Sequence, residues 1–390
     1  MVAALLGAAG LLAQGDLAAK ARARAHGRSM IALAQARAAL IGYAASYAER
    51  HPGEGHGYLP CPDMANTGST PIGACGARER GVIGRLPYRT LGLADLRDGW
   101  GHCLWYAIAG SVKHNPKPLS LNWDSPGQFQ PHSAAGEPLA AADSRIAAVL
   151  FAPGVALEGQ SRPPSSGRRC PGSDSSAADL AHFLDADYPA AFTAPLDVFQ
   201  GTADGSPRND LIAWISVDDL FGALRRRSDF APRIDAVIAT AAGALAARLG
   251  DDDFIERHAA PAGALLVGEL PDAAALDLPA ERAADHDNWR NQFRFALCAD
   301  ASACIALSRS DPPATEPCRG VLLFGGERVA GGPGRQARIT PRERADPAQY
   351  FEGANPTHLE SGIPAFAGAR TFTLPASGQA ASEDVIRCLN

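Results

Sequence analysis

From Asp16 to Ala48 the chain has no proline, and Met30, Leu33, Ala34, Arg37, Leu40, Ile41, Ala44 and Ala45 recur at helical spacing. Arg22, Arg24, Arg28, Gln35 and Arg37 supply polar faces. The pattern predicts one long amphipathic helix, stopped by His51-Pro52-Gly53. Before it, Val2 to Ala13 is apolar over twelve residues. That is short of the ~20 residues that span a bilayer as a helix. The positive charges Lys20, Arg22, Arg24 and Arg28 follow the run, whereas a signal peptide carries them in front. The run reads either as a buried helical segment or as the tail of a longer membrane segment.

Beyond the helix the pattern changes to short apolar runs between turn residues. Val82–Tyr88 is a short apolar element, and Leu104–Ile108, Ile146–Ala152 and Asn209–Ile215 predict strands, with Ile146–Ala152 the central one. Val217–Arg227 and Pro232–Leu249 return to helical spacing. Ser216 stands as N-cap of the first, with Asp218 and Asp219 in its opening turn. Asp251-Asp252-Asp253 reads as a solvated loop.

The second half echoes the first in order. Asp98–Ala107 is answered by Asp287–Ala296, so that the second copy starts directly at its tryptophan strand, and Ala148–Gly154 is answered by Val321–Glu327. Gly159 with Arg162 is answered by Gly332 with Arg335. Phe183-Leu184-Asp185 is answered by Tyr350-Phe351-Glu352, and Asp210-Leu211-Ile212 by Asp384-Val385-Ile386. Two copies imply a duplication rather than a repeat array. The expected fold is α+β: a long N-terminal helix, then an antiparallel β-rich head of two similar β units joined by helices. The expected segments are 1–50 for the helix, 51–225 for the first head, 226–280 for a helical connector and 281–390 for a second unit echoing 96–215.

Composition narrows the function. With 36 Lys and Arg against 42 Asp and Glu, the net charge is −6, without the basic footprint of a nucleic-acid binder. The 40 Gly and 30 Pro predict many turns and irregular loops. Eight cysteines without a C-x-x-C spacing point to disulfides in an oxidising compartment rather than to zinc or thioredoxin chemistry. Cys61 and Cys75 flank a loop of small residues and suit a bridge, and Cys298 with Cys304 suits a pinned turn.

Catalytic signatures are missing: there is no phosphate loop, no dinucleotide glycine motif, no H-E-x-x-H and no G-x-S-x-G. His51, Glu54 and His56 read as a solvated turn, because two glycines and a proline give no third firm metal ligand. Asp185 with Asp187, and Asp251 to Asp253, lack the spacing of a calcium loop. Cys61 lies between Pro60 and Pro62 and reads as bridged rather than nucleophilic. Trp100, Trp105, Trp214 and Trp289 read as core beside strand-like runs rather than as a sugar platform. No catalytic, cofactor or metal residue is assigned. Leu59, Pro60, Pro62, Trp100, Tyr106, Trp214 and Trp289 are assigned structural roles.

The order of the signatures resembles bacterial type IV pilin-like and type II secretion pseudopilin-like proteins. The residues that carry the resemblance are Leu40–Ala44, Leu59–Asp63, Leu86–Gly92, Asp98–Ala107, Ala147–Pro153 and Asn209–Ser216. It covers roughly residues 30–225; residues 285–390 join it only through the echo. The resemblance implies a non-enzymatic structural or assembly component, anchored in the inner membrane facing the periplasm, or displayed at the cell surface. Its partners would be other pilin or pseudopilin subunits, the inner-membrane assembly machinery and, if the apolar run continues upstream, the membrane itself. The Gly-Phe-Thr-Leu-x-Glu type segment of pilin precursors is not in the sequence, and the size exceeds that of a usual major pilin. The duplication and the size imply a minor, tip or accessory component. The alternative expectation is a periplasmic or secreted module that binds a glycan or another surface.

Overall fold

The computed structural model describes residues 2–141, 143–162, 170–202, 208–300, 302–310, 312–329, 335–374 and 383–390, with side chains from residue 17 onward. The chain divides into two compact units. The first comprises Met1–Ser46, Gly57–Pro118 and Ser125–Leu220. The second comprises Tyr47–His56, Leu119–Asp124 and Phe221–Asn390. Secondary structure is mixed, and the class is α+β.

In the first unit α1 (Val2–Ala45) is the long helix. A single turn, α2 (Tyr47–Arg50), follows it and belongs to the second unit. The strands are β1 (Gly81–Arg85), β2 (Trp105–Ile108), β3 (Phe129–His132), β4 (Ile146–Ala152), β5 (Ala191–Phe192), β6 (Leu196–Phe199) and β7 (Leu211–Ser216). Helix α3 (Ser176–Phe183) lies against β1. The sheet order is β5-β1-β2-β4-β3-β6, with β7 also paired to β4. Only the β3–β6 pair is parallel. All seven residues of β4 are buried, so its sequence is a continuous apolar run rather than an alternation. Trp105 and Ile212 pair with Phe151 from either side.

Helix α4 (Val217–Arg225) crosses from one unit into the next along the chain, opened by a reciprocal cap. Asp219 N–H donates to Ser216 Oγ at 3.0 Å, and Ser216 N–H donates to Asp219 Oδ2 at 2.9 Å. The second unit continues with α5 (Phe230–Ala246), α6 (Asp252–His258), β8 (Ala260–Ala262), β9 (Leu265–Glu269), α7 (Ala280–Trp289), β10 (Phe293–Cys298), β11 (Ile305–Ser310), β12 (Pro313–Cys318) and β13 (Gly320–Phe324). It ends with α8 (Pro341–Ala345), α9 (Asn355–Ser361), β14 (Ala365–Gly368) and β15 (Val385–Leu389). One sheet runs β15-β13-β10-β9-β8, antiparallel throughout. A smaller one runs β12-β11-β14. Leu265, Val321, Leu323 and Ile386 from the larger sheet and Ile305, Leu307 and Phe366 from the smaller one share an apolar core.

Three local expectations change. Residues 226–280, expected as a helical connector, also supply β8 and β9 of the larger sheet. Asp251 is not a loop acid: its side chain caps α6 by accepting from Phe254 N–H at 3.0 Å. Trp289 does not open a strand, because Ala280–Trp289 contains good helix formers behind Pro279 and folds as α7. The strand starts at Phe293, after a 3-10 turn.

Disulfides join Cys61–Cys75, Cys103–Cys170, Cys298–Cys304 and Cys318–Cys388. The second and fourth pairs lie 67 and 70 residues apart, and sequence spacing gave no hint of them. Four bridges fit an oxidising, extracellular or periplasmic environment. Among the described residues no helix is long and apolar enough to cross a membrane.

Candidate functional site: the docked helix and the turns that hold it

Every residue of α1 from Leu17 to Arg24 is exposed. From Ala25 one face is buried: Ala25, Ser29, Ala32, Leu33, Ala36, Leu40, Tyr43 and Ala44. These positions lie three or four apart and form the stripe that packs on β7 and β4. The opposite side leaves large apolar groups in solvent, with Leu17 66%, Met30 44% and Ile31 61% exposed. The helix therefore has a docked stretch from Ala25 and a solvent-exposed stretch from Leu17 to Arg24.

Two polar contacts fix the docking. Arg37 donates to the Trp214 carbonyl at 2.8 Å and pairs with Asp219 at 2.7 Å, tying α1 to β7 and α4. The other contact is the Asp98-Gly99-Trp100 turn. Gly99 N–H donates to Ser29 Oγ and Arg28 donates to Gly99 O, both at 2.9 Å. Gly99 backs directly onto Ala25, and a Cβ there would stand 1.9 Å from the Ala25 carbonyl oxygen. The glycine is needed for this close approach. Asp98 shapes the turn: Oδ1 accepts from Trp100 and His102 N–H, and Oδ2 from Gly154 N–H. Burial pushes the Asp98 carboxyl up despite these donors. The His102 imidazole is lowered to about 4, by burial first and then by Arg162 and Arg97.

Tyr58 to Asp63 is buried throughout and forms the joint after the helix. Leu59 exchanges backbone bonds with Val112 and His114, and Asp63 with Arg85. Pro60 and Pro62 need no amide partner, and Asp63 carries the following loop by accepting from Ala65, Thr67 and Gly68 N–H. Tyr106 is fully buried, and its phenol is raised well above the usual range by burial and by Tyr43. Trp105 and Trp289 are buried, Trp289 edge-on to Trp123 at 4.5 Å, while Trp100 and Trp214 are half-buried.

Three buried cations, Arg85, Lys113 and Arg338, and the half-buried Arg162 organise the loops; the sequence pointed only to Arg162, as part of the echo, and to no role for it. Arg85 pairs with Asp179 and donates to Ser176 Oγ and Pro171 O. Lys113 donates to the carbonyls of Cys75, Ala77 and Arg80. Arg162 and Arg338 are clamps of one design. Each donates to its Gln two residues earlier, Gln160 or Gln336. Each also donates to the carbonyl after the central strand, Gly154 or Gly326, and lies over an aromatic ring, Phe183 or Tyr350. Arg338, rather than the Arg335 of the sequence echo, makes these contacts; Gly332 lies outside the described residues. A Gln-x-Arg triplet after an apolar strand is the one signal that could have found the pair.

Each unit also holds a carboxyl pair. Asp185 N–H donates to Asp210 Oδ2 at 2.8 Å, and Glu352 N–H donates to Asp384 Oδ2 at 3.0 Å. Burial pushes both Asp210 and Asp384 well up, helped by Asp185 and Glu352 respectively.

The residues weighed as metal ligands are engaged separately. His51 stacks on Tyr47, Glu54 O accepts from Arg233, and His56 faces Arg233 at 3.2 Å. Burial and that guanidinium lower His56 to about 4. Asp185 Oδ2 accepts from the N–H groups of Asn209 and Asp210. Among the described residues, Asp95 lies beside Cys103 and Cys170, and Glu316 beside Cys318 and Cys388. Their sulfurs are in disulfides and offer no thiolate. Compared with protein-family models, curated proteins and solved structures, the chain matches none.

Proposed function

We propose that the chain is a non-enzymatic, pilin-like structural or assembly subunit of a type IV pilus or type II secretion-like system, in a minor or accessory position. It acts at the inner membrane facing the periplasm, or at the cell surface. The observation that carries the reading is α1: a helix docked on an antiparallel sheet from Ala25 to Ala44 and exposed all round from Leu17 to Arg24. A helix that keeps Leu17, Met30 and Ile31 in water has apolar surface for neighbouring helices. The disulfides support an extracytoplasmic head. The partners are other pilin or pseudopilin subunits packed along α1, together with their assembly machinery.

The same reading makes the second unit a duplicated head. Its support is threefold. The antiparallel order β1-β2-β4-β7 has a counterpart in β9-β10-β13-β15. The Gln160–Arg162 and Gln336–Arg338 clamps correspond. So do the Asp185–Asp210 and Glu352–Asp384 pairs.

The test is photo-crosslinking in the native cell, with the reactive group at Ala21 on the exposed Leu17–Arg24 stretch of α1 or, as a control, at the exposed Ala135 on the head. Adducts to pilin-like subunits from position 21 and few from 135 are expected. A protein that gives no adduct from position 21 and fractionates as a free soluble monomer would refute the reading.

A further inference from the structure

One cavity carries chemistry that subunit packing does not use. In the second unit, β11, α9, β14 and the start of β15 surround about 550 Å3, lined by Ser308, Glu352, Asn355, His358, Phe366 and Asp384 among others. That volume suits a small organic group. Its polar end is Asp384, 2% exposed. Asp384 Oδ2 accepts from Glu352 N–H at 3.0 Å and Asn355 Nδ2 at 2.8 Å. Among the described residues no donor reaches Asp384 Oδ1 or Glu352 Oε2, both buried, and the two carboxyl groups lie within hydrogen-bond reach of each other. Asn355 cannot turn to serve them, because its Oδ1 accepts from Ala367 N–H and its Nδ2 also donates to Ala367 O. Two buried oxygen acceptors thus stand at an opening without a donor among the described residues, an arrangement that is costly unless a proton or a cation joins them.

The first unit shows what its own pair uses. There Arg162 acts electrostatically on both Asp185 and Asp210 and so supplies a nearby positive charge, although Asp185 Oδ1 and Asp210 Oδ1 also have no donor among the described residues. In the second unit the corresponding Arg338 is spent elsewhere, paired with buried Asp124 at 2.8 Å. The leading influences on Asp384 are burial, Glu352 and Asn355, and none is a cation. Glu383 adds a further acid at the exposed rim.

We propose that this cavity binds an organic cation, an alkylammonium or guanidinium group on a short aliphatic stem, with Glu352 and Asp384 as its carboxylate partners and Phe366 as an apolar wall. A bare calcium ion would need 6–8 oxygens at 2.3–2.6 Å. The Asn355 oxygen is committed to Ala367, and alanine and phenylalanine side chains occupy much of the wall. The cation comes either as a free amine or as a Lys or Arg side chain of a peptide.

Calorimetric titration of the full chain distinguishes these cases. The probes are n-butylamine, its neutral counterpart n-butanol, N-acetyl-lysine methylamide and calcium chloride. Butylamine is expected to bind at least about tenfold tighter than butanol. Glu352→Gln, at a half-buried position, should remove most of that preference. Ser308→Trp, at an exposed strand position on the rim, should block entry while circular dichroism stays unchanged. Tighter binding of the lysine amide than of butylamine assigns the site to a peptide side chain; equal binding assigns it to free amines. Equal binding of butanol and butylamine, amine binding untouched by both variants, calcium preferred over both amines, or no amine binding up to roughly 10 mM would each overturn the proposal.

Discussion

Replacing Gly99 by alanine places a methyl group where α1 already lies. The new Cβ would stand 1.9 Å from Ala25 O and 2.5 Å from Ala25 Cα. Carbon approaches a carbonyl oxygen no closer than about 3.3 Å, so α1 must retreat by roughly 1.4 Å at Ala25. Both atoms are backbone, and no rotamer change relieves the clash. The retreat stretches the Ser29 and Arg28 bonds to Gly99, now 2.9 Å each, beyond useful length. Losing them costs ~1 kcal/mol apiece, and the overpacking costs ~1–3 kcal/mol more. Part of this is relieved by the helix sliding out, so the expected loss is about 2–4 kcal/mol. In a unit of about 200 residues that lowers the Tm by about 5–15 °C. Thermal unfolding followed by circular dichroism reads the loss, and amide exchange reads its location, which should be Ala25 to Leu33. Gly73→Ala is the control, because a Cβ there meets nothing within 4 Å. A Gly99→Ala protein that melts with the control and keeps its α1 amides protected would show that the turn does not hold the helix.

Three further outcomes are expected. Arg85→Met removes the partner of Asp179, a carboxylate with 9% side-chain exposure, and should cost ~3–5 kcal/mol in urea unfolding; a loss below ~1 kcal/mol would mean the pair is dispensable. Removing Cys103–Cys170 opens a 67-residue separation and should cost ~4 kcal/mol, whereas removing Cys298–Cys304 at a separation of 6 should cost ~2 kcal/mol; the reverse ranking in denaturant midpoints would contradict the loop argument. His102 is held at about 4 when folded against about 6.5 unfolded, so the folded chain binds fewer protons between these values. Its contribution to stability is full above pH ~6.5 and is lost as pH falls toward ~4. Wild type should therefore lose more stability than His102→Gln between pH ~7 and ~4.5, and parallel curves for the two proteins would contradict this.

Much of the frame was legible in the chain. The long helix is visible as helical spacing, although of the residues that carried it only Leu33, Leu40 and Ala44 lie in the buried stripe while Met30 and Ala34 are exposed, and β4 is visible as seven apolar residues in a row; both signals arise within a few residues of backbone geometry. Asp98-Gly99-Trp100 was visible as a motif but not as a helix dock, because Ala25 and Ser29 lie some 70 residues away. Trp289 misled because an aromatic residue beside an apolar run suits either the end of a helix or the start of a strand.

The sequence by itself determined the helix, the apolar strands, the turns and the cysteine supply that an oxidising compartment turns into bridges. Tertiary structure alone decided what those parts meet. Arg338 reaches Asp124 across 214 residues, Cys318 reaches Cys388 across 70, and Asp384 is left facing Glu352 beside an open cavity. Periodicity and propensity act over one or two turns of backbone. A buried charge finds its partner, or fails to, only when distant segments are brought together and water is removed.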